Sequence, residues 1–455
     1  MGTLDKVNEH IARMNSESSI AQKRLEELFD ENGFIEIGGH NTEAGVVTGF
    51  GYINGRLVYA YSQDGPVSVA HANKIAKLYE NALKMGAPIV GILDSEGLLI
   101  EDGVDIFEAY GIMFSKQCCS SGVIPQISII VGDCLGTAAF SPLLSDFIVM
   151  TESNAKFFMT SPSTFDGLEG KATSYDELGG AKGQAGMIHL SYKDEKGCFD
   201  GVRELLDMLP SNNIEEPYIE ECTDDINRED EALNSIISDD EKADVRAIIT
   251  SIADNNHFME FQKNYTTEAI VGFIKLNGTT IGVIANNGLL DVDAMKKMGG
   301  FASFCDAFNI PILTITDIEG YVSSVEEERR GLLRYGAKLM FTLKNSTVPR
   351  VNLLIRHAVG NAYVVMNSKH IGADIVLAWP TASIAIMDKA SYTNIMELSA
   401  DEYDKVTSPE YVASKGYIDD VIIPSATRKR LIAVFDMLAS KRVLKHARKH
   451  SSVEF

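Results

Sequence analysis

The sequence predicts an α/β fold built twice in tandem, and three matched blocks carry that expectation. GFGYINGRLVYAYSQD from Gly49 and GFIKLNGTTIGVIANN from Gly272 share one pattern, with Gly55 matching Gly278 at an offset of 223 residues. KMGAPIVGILDSEG and AFNIPILTITDIEG keep the same offset, which aligns Pro88 with Pro311, Asp94 with Asp317 and Gly97 with Gly320. SGVIPQISIIVGDCLGTAAF and STVPRVNLLIRHAVGNAYVV follow at 224, aligning Pro125 with Pro349 and Gly136 with Gly360. Self-similarity held over three blocks marks an internal duplication. The two domains are expected at residues 1–225 and 226–455.

Within each copy, strands and helices alternate. Ile89–Leu93, Ile127–Val131, Ile312–Ile315 and Val351–Ile355 are short β-branched runs bounded by Gly or Pro, the pattern of strands buried on both faces. Helical periodicity falls between them, at Ala72–Lys84, Ile106–Cys119, Ala294–Phe308 and Glu328–Phe341. Alternation of this kind implies a mainly parallel sheet with right-handed crossovers. The segments Asp94–Gly97, Asp133–Ala138, Asp317–Gly320 and His357–Ala362 then fall at strand carboxyl ends, where open α/β folds bind ligands.

Composition bounds the function. Asp plus Glu number 64 against 41 Lys plus Arg, a net charge of −23, which argues against broad phosphate-backbone binding to nucleic acid. The 45% apolar fraction suffices for packed cores. No apolar run reaches the roughly 20 residues of a bilayer span, and the opening MGTLDKVNEHIARMN is polar and helical-looking. The six cysteines have no paired metal-ligand spacing and are expected as reduced thiols in or near the core, so the chain reads as cytoplasmic. Between Glu215 and Lys242 stand 12 acidic residues and two basic ones, expected as a solvated connector. From Arg428 to Lys449 the sign reverses, with eight Lys or Arg and one acid. A surface helix with snorkelling cations is expected there.

No zincin, nucleophile-elbow or Walker motif is present, and no metal site is expected. Gly179-Gly180 lacks the strand and the spacing of a dinucleotide loop. The informative features are the Gly-rich turns repeated in both halves, Gly136-Thr137-Ala138 and Gly360-Asn361-Ala362. A small-residue turn that opens a helix presents backbone N–H groups at its positive end, and such groups can hold a developing oxyanion.

At these residues the chain resembles the carboxyltransferase subunits of biotin-dependent acyl-CoA carboxylases and decarboxylases, a crotonase-like duplication. The motifs are SSGVIPQISIIVGDCLGTAAFSP, YDELGGAKGQAG, LLDMLPSNN, FCDAFNIPILTITDIEG, RYGAKLMFTLKNSTVPRV and AYVVMNSKHIGAD. AYVVMNSK and EECTDDINR further resemble subunits that accompany sodium-translocating decarboxylase modules. The resemblance implies carboxyl transfer between carboxybiotin and the α-carbon of a short acyl-CoA. Biotin would sit on a separate carrier protein, with a biotin carboxylase or a membrane decarboxylase subunit as a further partner. It implies that the first copy holds the CoA ester and the second the biotin. It also implies a hexamer in which the first copy of one subunit faces the second copy of another. Gly136, Thr137, Ala138, Gly360, Asn361 and Ala362 would form the two oxyanion-stabilising turns, and Ser95, Gly97, Gly320 and Tyr363 would contact substrate.

Several positions depart from the family pattern. Thr137 and Asn361 each stand where a second glycine is usual. Ser95-Glu96-Gly97-Leu98-Leu99 replaces Ser-Gly-Gly-Ala-Arg, and Glu319-Gly320-Tyr321 replaces Pro-Gly-Phe. These changes fit an active transferase with an unusual substrate. They also fit a degenerate paralogue in a mixed assembly, or a crotonase-type CoA enzyme working without biotin.

Overall fold

The computed structural model describes residues 19–41, 44–169, 174–215, 218–236, 243–397 and 399–447. The opening polar segment and the end of the basic tail lie outside them. The chain forms two compact units, Met1–Glu215 and Glu216–Phe455, each built on one eight-stranded sheet.

The first unit contains β1 (Ile35–Glu36), β2 (Val46–Ile53), β3 (Arg56–Gln63), β4 (Ile89–Ser95), β5 (Gln126–Leu135), β6 (Phe147–Thr151), β7 (Lys156–Phe158) and β8 (Leu190–Tyr192). Its order is β1-β2-β3-β4-β5-β6-β8, with β7 paired to β5. The second contains β9 (Met259–Phe261), β10 (Ala269–Leu276), β11 (Thr279–Asn286), β12 (Ile312–Ile318), β13 (Arg350–Val359), β14 (Ile375–Ala378), β15 (Ser383–Ala385) and β16 (Asp420–Val421). Its order is β9-β10-β11-β12-β13-β14-β16, with β15 paired to β13. The topology is the same. An antiparallel hairpin feeds a parallel sheet, and β5 and β13 are each ten residues long at its centre.

All four β-branched runs are strands of these sheets. Ile89, Ile130 and Met150 pack with Tyr61, Ile75 and Leu78 in one core, and Val283, Ile315 and Leu353 pack with Trp379 and Leu431 in the other. The helix expected from Ala72 runs over Val69–Met85, because Ser68 accepts the His71 N–H (3.1 Å) at its start and Gly86 ends it at φ 60°. Those expected from Ile106 and Ala294 are Asp105–Ser120 and Val292–Ala307. The fourth differs. Gly331 at φ 93° divides it into Val325–Arg330 and Leu332–Asn345, a conformation glycine adopts without a Cβ penalty.

Two further expectations are corrected. Part of the acidic connector is packed rather than solvated: Leu233 is buried in the second core, and Asp230 N–H donates to the Ser425 carbonyl (3.1 Å). At the C-terminal helix, Thr427–Leu438, Arg428 does not snorkel. It is buried, lies 2.6 Å from Asp254 and donates to the Ile252 carbonyl (2.8 Å). Cys134, Cys198 and Cys305 are buried, but Cys118 and Cys119 are exposed on the turn of a helix end. Among the described residues no helix is long and apolar enough to cross a membrane.

Candidate active site

The equivalence of the halves extends to individual hydrogen bonds at the strand carboxyl ends. The loop after β4 is tied to the loop after β3: Val67 N–H donates to Gly97 O (2.8 Å) and Leu99 N–H to Val67 O (2.9 Å). In the second unit Leu290 N–H donates to Gly320 O (3.1 Å) and Val322 N–H to Leu290 O (3.0 Å). Each pair of loops thus continues the parallel ladder by a single bridge. Gly97 at φ 112° and Gly320 at φ 153° let the chain turn there. Ser95, buried at the end of β4, fixes its turn by taking the Gly97 N–H on Oγ (3.3 Å).

Beside these loops, β5 and β13 run into the two Gly-rich turns. Gly136 has φ 60° and Gly360 φ 62°, so both reverse the chain in the same left-handed conformation at the same point of the fold. A Cβ on Gly136 would meet nothing within 4 Å, which leaves that face of the turn open to approach. Residues Gly136–Ala139 and Gly360–Val365 then wind into helical turns. The first N–H groups of a helical turn have no intrahelical acceptor and carry its positive end. In both turns the third residue, Ala138 or Ala362, is buried, while Asn361 is exposed. Tyr363 is also buried, and burial pushes its hydroxyl pKa up to about 12. It packs edge-on to His370 at 6.0 Å, so it supports the second turn from within the fold.

Each turn is held by an aspartate that sequence reasoning aligned but gave no role. Asp94 Oδ1 accepts the Asp133 N–H (3.3 Å), and Asp317 Oδ1 accepts the His357 N–H (3.0 Å). Both bonds fall where the β4–β5 and β12–β13 registers shift. Their counter-ions differ. Arg24 pairs with Asp94 (2.9 Å) and Glu195 (2.8 Å), whereas Asp317 pairs with Arg356 (2.9 Å) and the His357 ring (3.1 Å). Two lysines were missed in the same way. Lys74 donates to Val46 O (2.8 Å) and Lys297 to Ala269 O (2.8 Å), and the 223-residue offset relates both ends of the two bonds.

The Gly136 turn also borders a cavity of about 270 Å³ in the first unit, with Ala139 and Phe140 in its wall. Among the described residues no cluster of three or more His, Cys, Asp or Glu could hold a metal ion. The turns themselves offer aligned backbone dipoles.

Two like α/β units, each ending its central strand in a glycine turn of this kind, define a crotonase-like, two-domain scaffold. The carboxyl transferase domain model matches residues 18–453, and the chain belongs to that family. It is 39% identical to methylmalonyl-CoA decarboxylase subunit alpha of Veillonella parvula, covering 95% of this chain and 92% of the relative. It is 36% identical to the propionyl-CoA carboxylase beta chain of Roseobacter denitrificans, covering 95% and 93%. The crystal structure of transcarboxylase 12S, a hexamer with hydrolysed methylmalonyl-coenzyme A bound, superposes with a TM-score of 0.91. It shares 33% identity, over 98% of this chain and 95% of that one.

Proposed function

We propose that the protein is the carboxyltransferase subunit that moves a carboxyl group between carboxybiotin on a separate carrier protein and the α-carbon of an acyl-CoA. The observation that carries this reading is the pair of positive-φ glycine turns, Gly136 and Gly360, at equivalent strand ends. Enolisation at the α-carbon places negative charge on the thioester oxygen, and N–H groups fixed before the reaction stabilise it without reorganising. The Gly136–Ala138 turn does this for the thioester. The Gly360–Ala362 turn does the same for the ureido oxygen of biotin, whose bound form supplies the carboxyl group.

Neither turn requires the side chain of its second residue, so Thr137 and Asn361 preserve the backbone donors. Asp94 and Asp317 position the turns and Ser95 orders the adjoining loop. The subunit works in a homo-oligomer, a hexamer like the transcarboxylase neighbour, with a biotin carboxylase or a membrane decarboxylase subunit as partner.

The deciding experiment is carboxyl exchange between free carboxybiotin and a panel of acyl-CoA esters, using the full-length protein. Transfer to at least one ester is expected. A protein that binds acyl-CoA yet transfers carboxyl to none of the panel would overturn the reading.

A further inference from the structure

The cavity beside the Gly136 turn has a composition that points to its occupant. Its wall is formed by Ala139, Phe140 and Leu143, which follow the turn, by Phe158 and Met159 at the end of β7, and by Met187 opposite. Phe158 lies against Tyr175 with ring centres 5.7 Å apart. It can do so because Gly179 faces it: a Cβ there would come within 2.5 Å of the Phe158 ring. Gly179, the first glycine of the pair that makes no dinucleotide loop, thus makes room for an aromatic wall. Of the polar lining groups, Gln184 spends an amide N–H on the Leu178 carbonyl (2.7 Å). Among the described residues no ionisable side chain lines the space. At its rim Phe140 is 49% and Met159 59% exposed.

We infer that this cavity receives the acyl group of the thioester and selects an uncharged chain longer than three carbons. Its volume of about 270 Å³ is far above the roughly 10–15 Å³ that a single water needs. Its wall begins at Ala139, the residue after the turn that holds the thioester carbonyl, so a chain anchored there by its oxygen extends toward the cavity through its α- and β-carbons. A carboxylate at the far end of the chain would be desolvated in this wall with no cation among the described lining residues to pair with, which disfavours acyl groups that end in a second carboxylate. The inference rests on the reading above only in taking the Gly136 turn as the thioester site, and does not require that carboxyl be transferred.

The test is calorimetric binding of CoA and of straight-chain acyl-CoA esters from acetyl to octanoyl to the full-length protein. Glutaryl-CoA serves as the charged counterpart of pentanoyl-CoA. Each methylene added between three and six carbons should lower Kd by up to about fourfold, and glutaryl-CoA should bind at least about tenfold more weakly than pentanoyl-CoA. Met159→Trp, a change at the exposed rim, should abolish the chain-length gain while leaving the affinity for CoA itself unchanged. Phe158→Ala should extend the gain to longer chains.

A flat series, equal binding of glutaryl-CoA and pentanoyl-CoA, or an unaltered series in Met159→Trp would overturn the inference. Coverage of the cavity by a second copy of the chain would appear as a flat series. Chain-length-dependent binding without carboxyl exchange would support this inference and count against the transfer reading. Exchange with a flat series would count against this inference alone.

Discussion

Asp317 accepts the backbone N–H of His357 at 3.0 Å, three residues before the glycine that opens the second turn. A side chain from one strand thereby fixes the exit of its neighbour, where the β12–β13 register shifts. Burial by itself would raise the Asp317 pKa. The hydrogen bonds from His357 and Arg356 outweigh it and hold the carboxyl below the ordinary aspartate range.

Because the folded pKa is depressed, this contribution to stability is fully present above the unfolded value of about 3.9 and is lost as pH falls through the folded one. Asp317→Asn should therefore destabilise the protein at pH 7 by about 1.5–3 kcal/mol. The difference from wild type should shrink toward pH 3. Urea unfolding at several pH values reads this directly. A pH-independent difference would show that shape at the register shift, rather than charge, is what Asp317 supplies.

Asp146 gives the opposite sign. It accepts the Gln126 N–H at the start of β5 (2.8 Å), as Asp374 does for Arg350 at the start of β13 (2.7 Å). Asp374 is paired with Lys441 (2.7 Å), whereas burial pushes the Asp146 pKa up to about 7. A raised folded pKa contributes stability that is full below the unfolded value and lost as pH rises through about 7. Asp146→Asn keeps an acceptor for Gln126 and removes the buried charge, so it should raise Tm at pH 8 by several degrees and change it little at pH 4. Thermal unfolding at the two pH values is the check, and equal shifts at both would contradict the assignment.

Much of this architecture is legible in the sequence, because duplication turns one weak pattern into two that confirm each other. The β-branched runs and the positions of Gly136 and Gly360 follow from sequence alone. What escapes it is pairing across sequence distance. Nothing local tells that Arg428 is buried against Asp254 while its neighbours in a basic run face solvent. Gly331 breaks a helix because of its φ, and apolar periodicity continues on either side of it. Asp94 and Asp317 were aligned by the repeat, yet their role lies in the backbone of the next strand, 39 and 40 residues on. Lys74 and Lys297 could have been found by extending the offset to polar positions. The cavity could not, because its wall joins Phe140, Phe158 and Met187 through the fold.

The two turns can be tested by deleting a donor without changing a side chain's charge. Ala138→Pro and Ala362→Pro each remove one N–H at the third residue of a helical turn, where proline's φ is tolerated. Each should lower carboxyl transfer by about 100-fold or more. Circular dichroism and sedimentation should remain those of wild type. Ala138→Pro should act on the acyl-CoA side and Ala362→Pro on the biotin side. A variant that keeps full transfer rates while folded would remove that turn from the mechanism.

The residues that follow the two glycines provide the sharpest discrimination. Thr137 and Asn361 directly follow Gly136 and Gly360, and β-branched Thr137 restricts its turn more than glycine would. If backbone donors carry the chemistry, Thr137→Gly and Asn361→Gly leave every N–H in place and turnover should persist within about tenfold. Thr137 lies within the turn proposed to hold the thioester, so its replacement should alter the relative kcat/KM of short and longer acyl-CoA esters. Asn361→Gly should alter the KM for free carboxybiotin and leave the acyl preference alone. The measurement is the full matrix of both variants against the ester panel at saturating carboxybiotin. Loss of transfer in either variant, with the fold intact, would show that the Thr137 hydroxyl or the Asn361 amide is itself a donor. Identical profiles for wild type and both variants would place the two side chains outside the substrate-contacting surface.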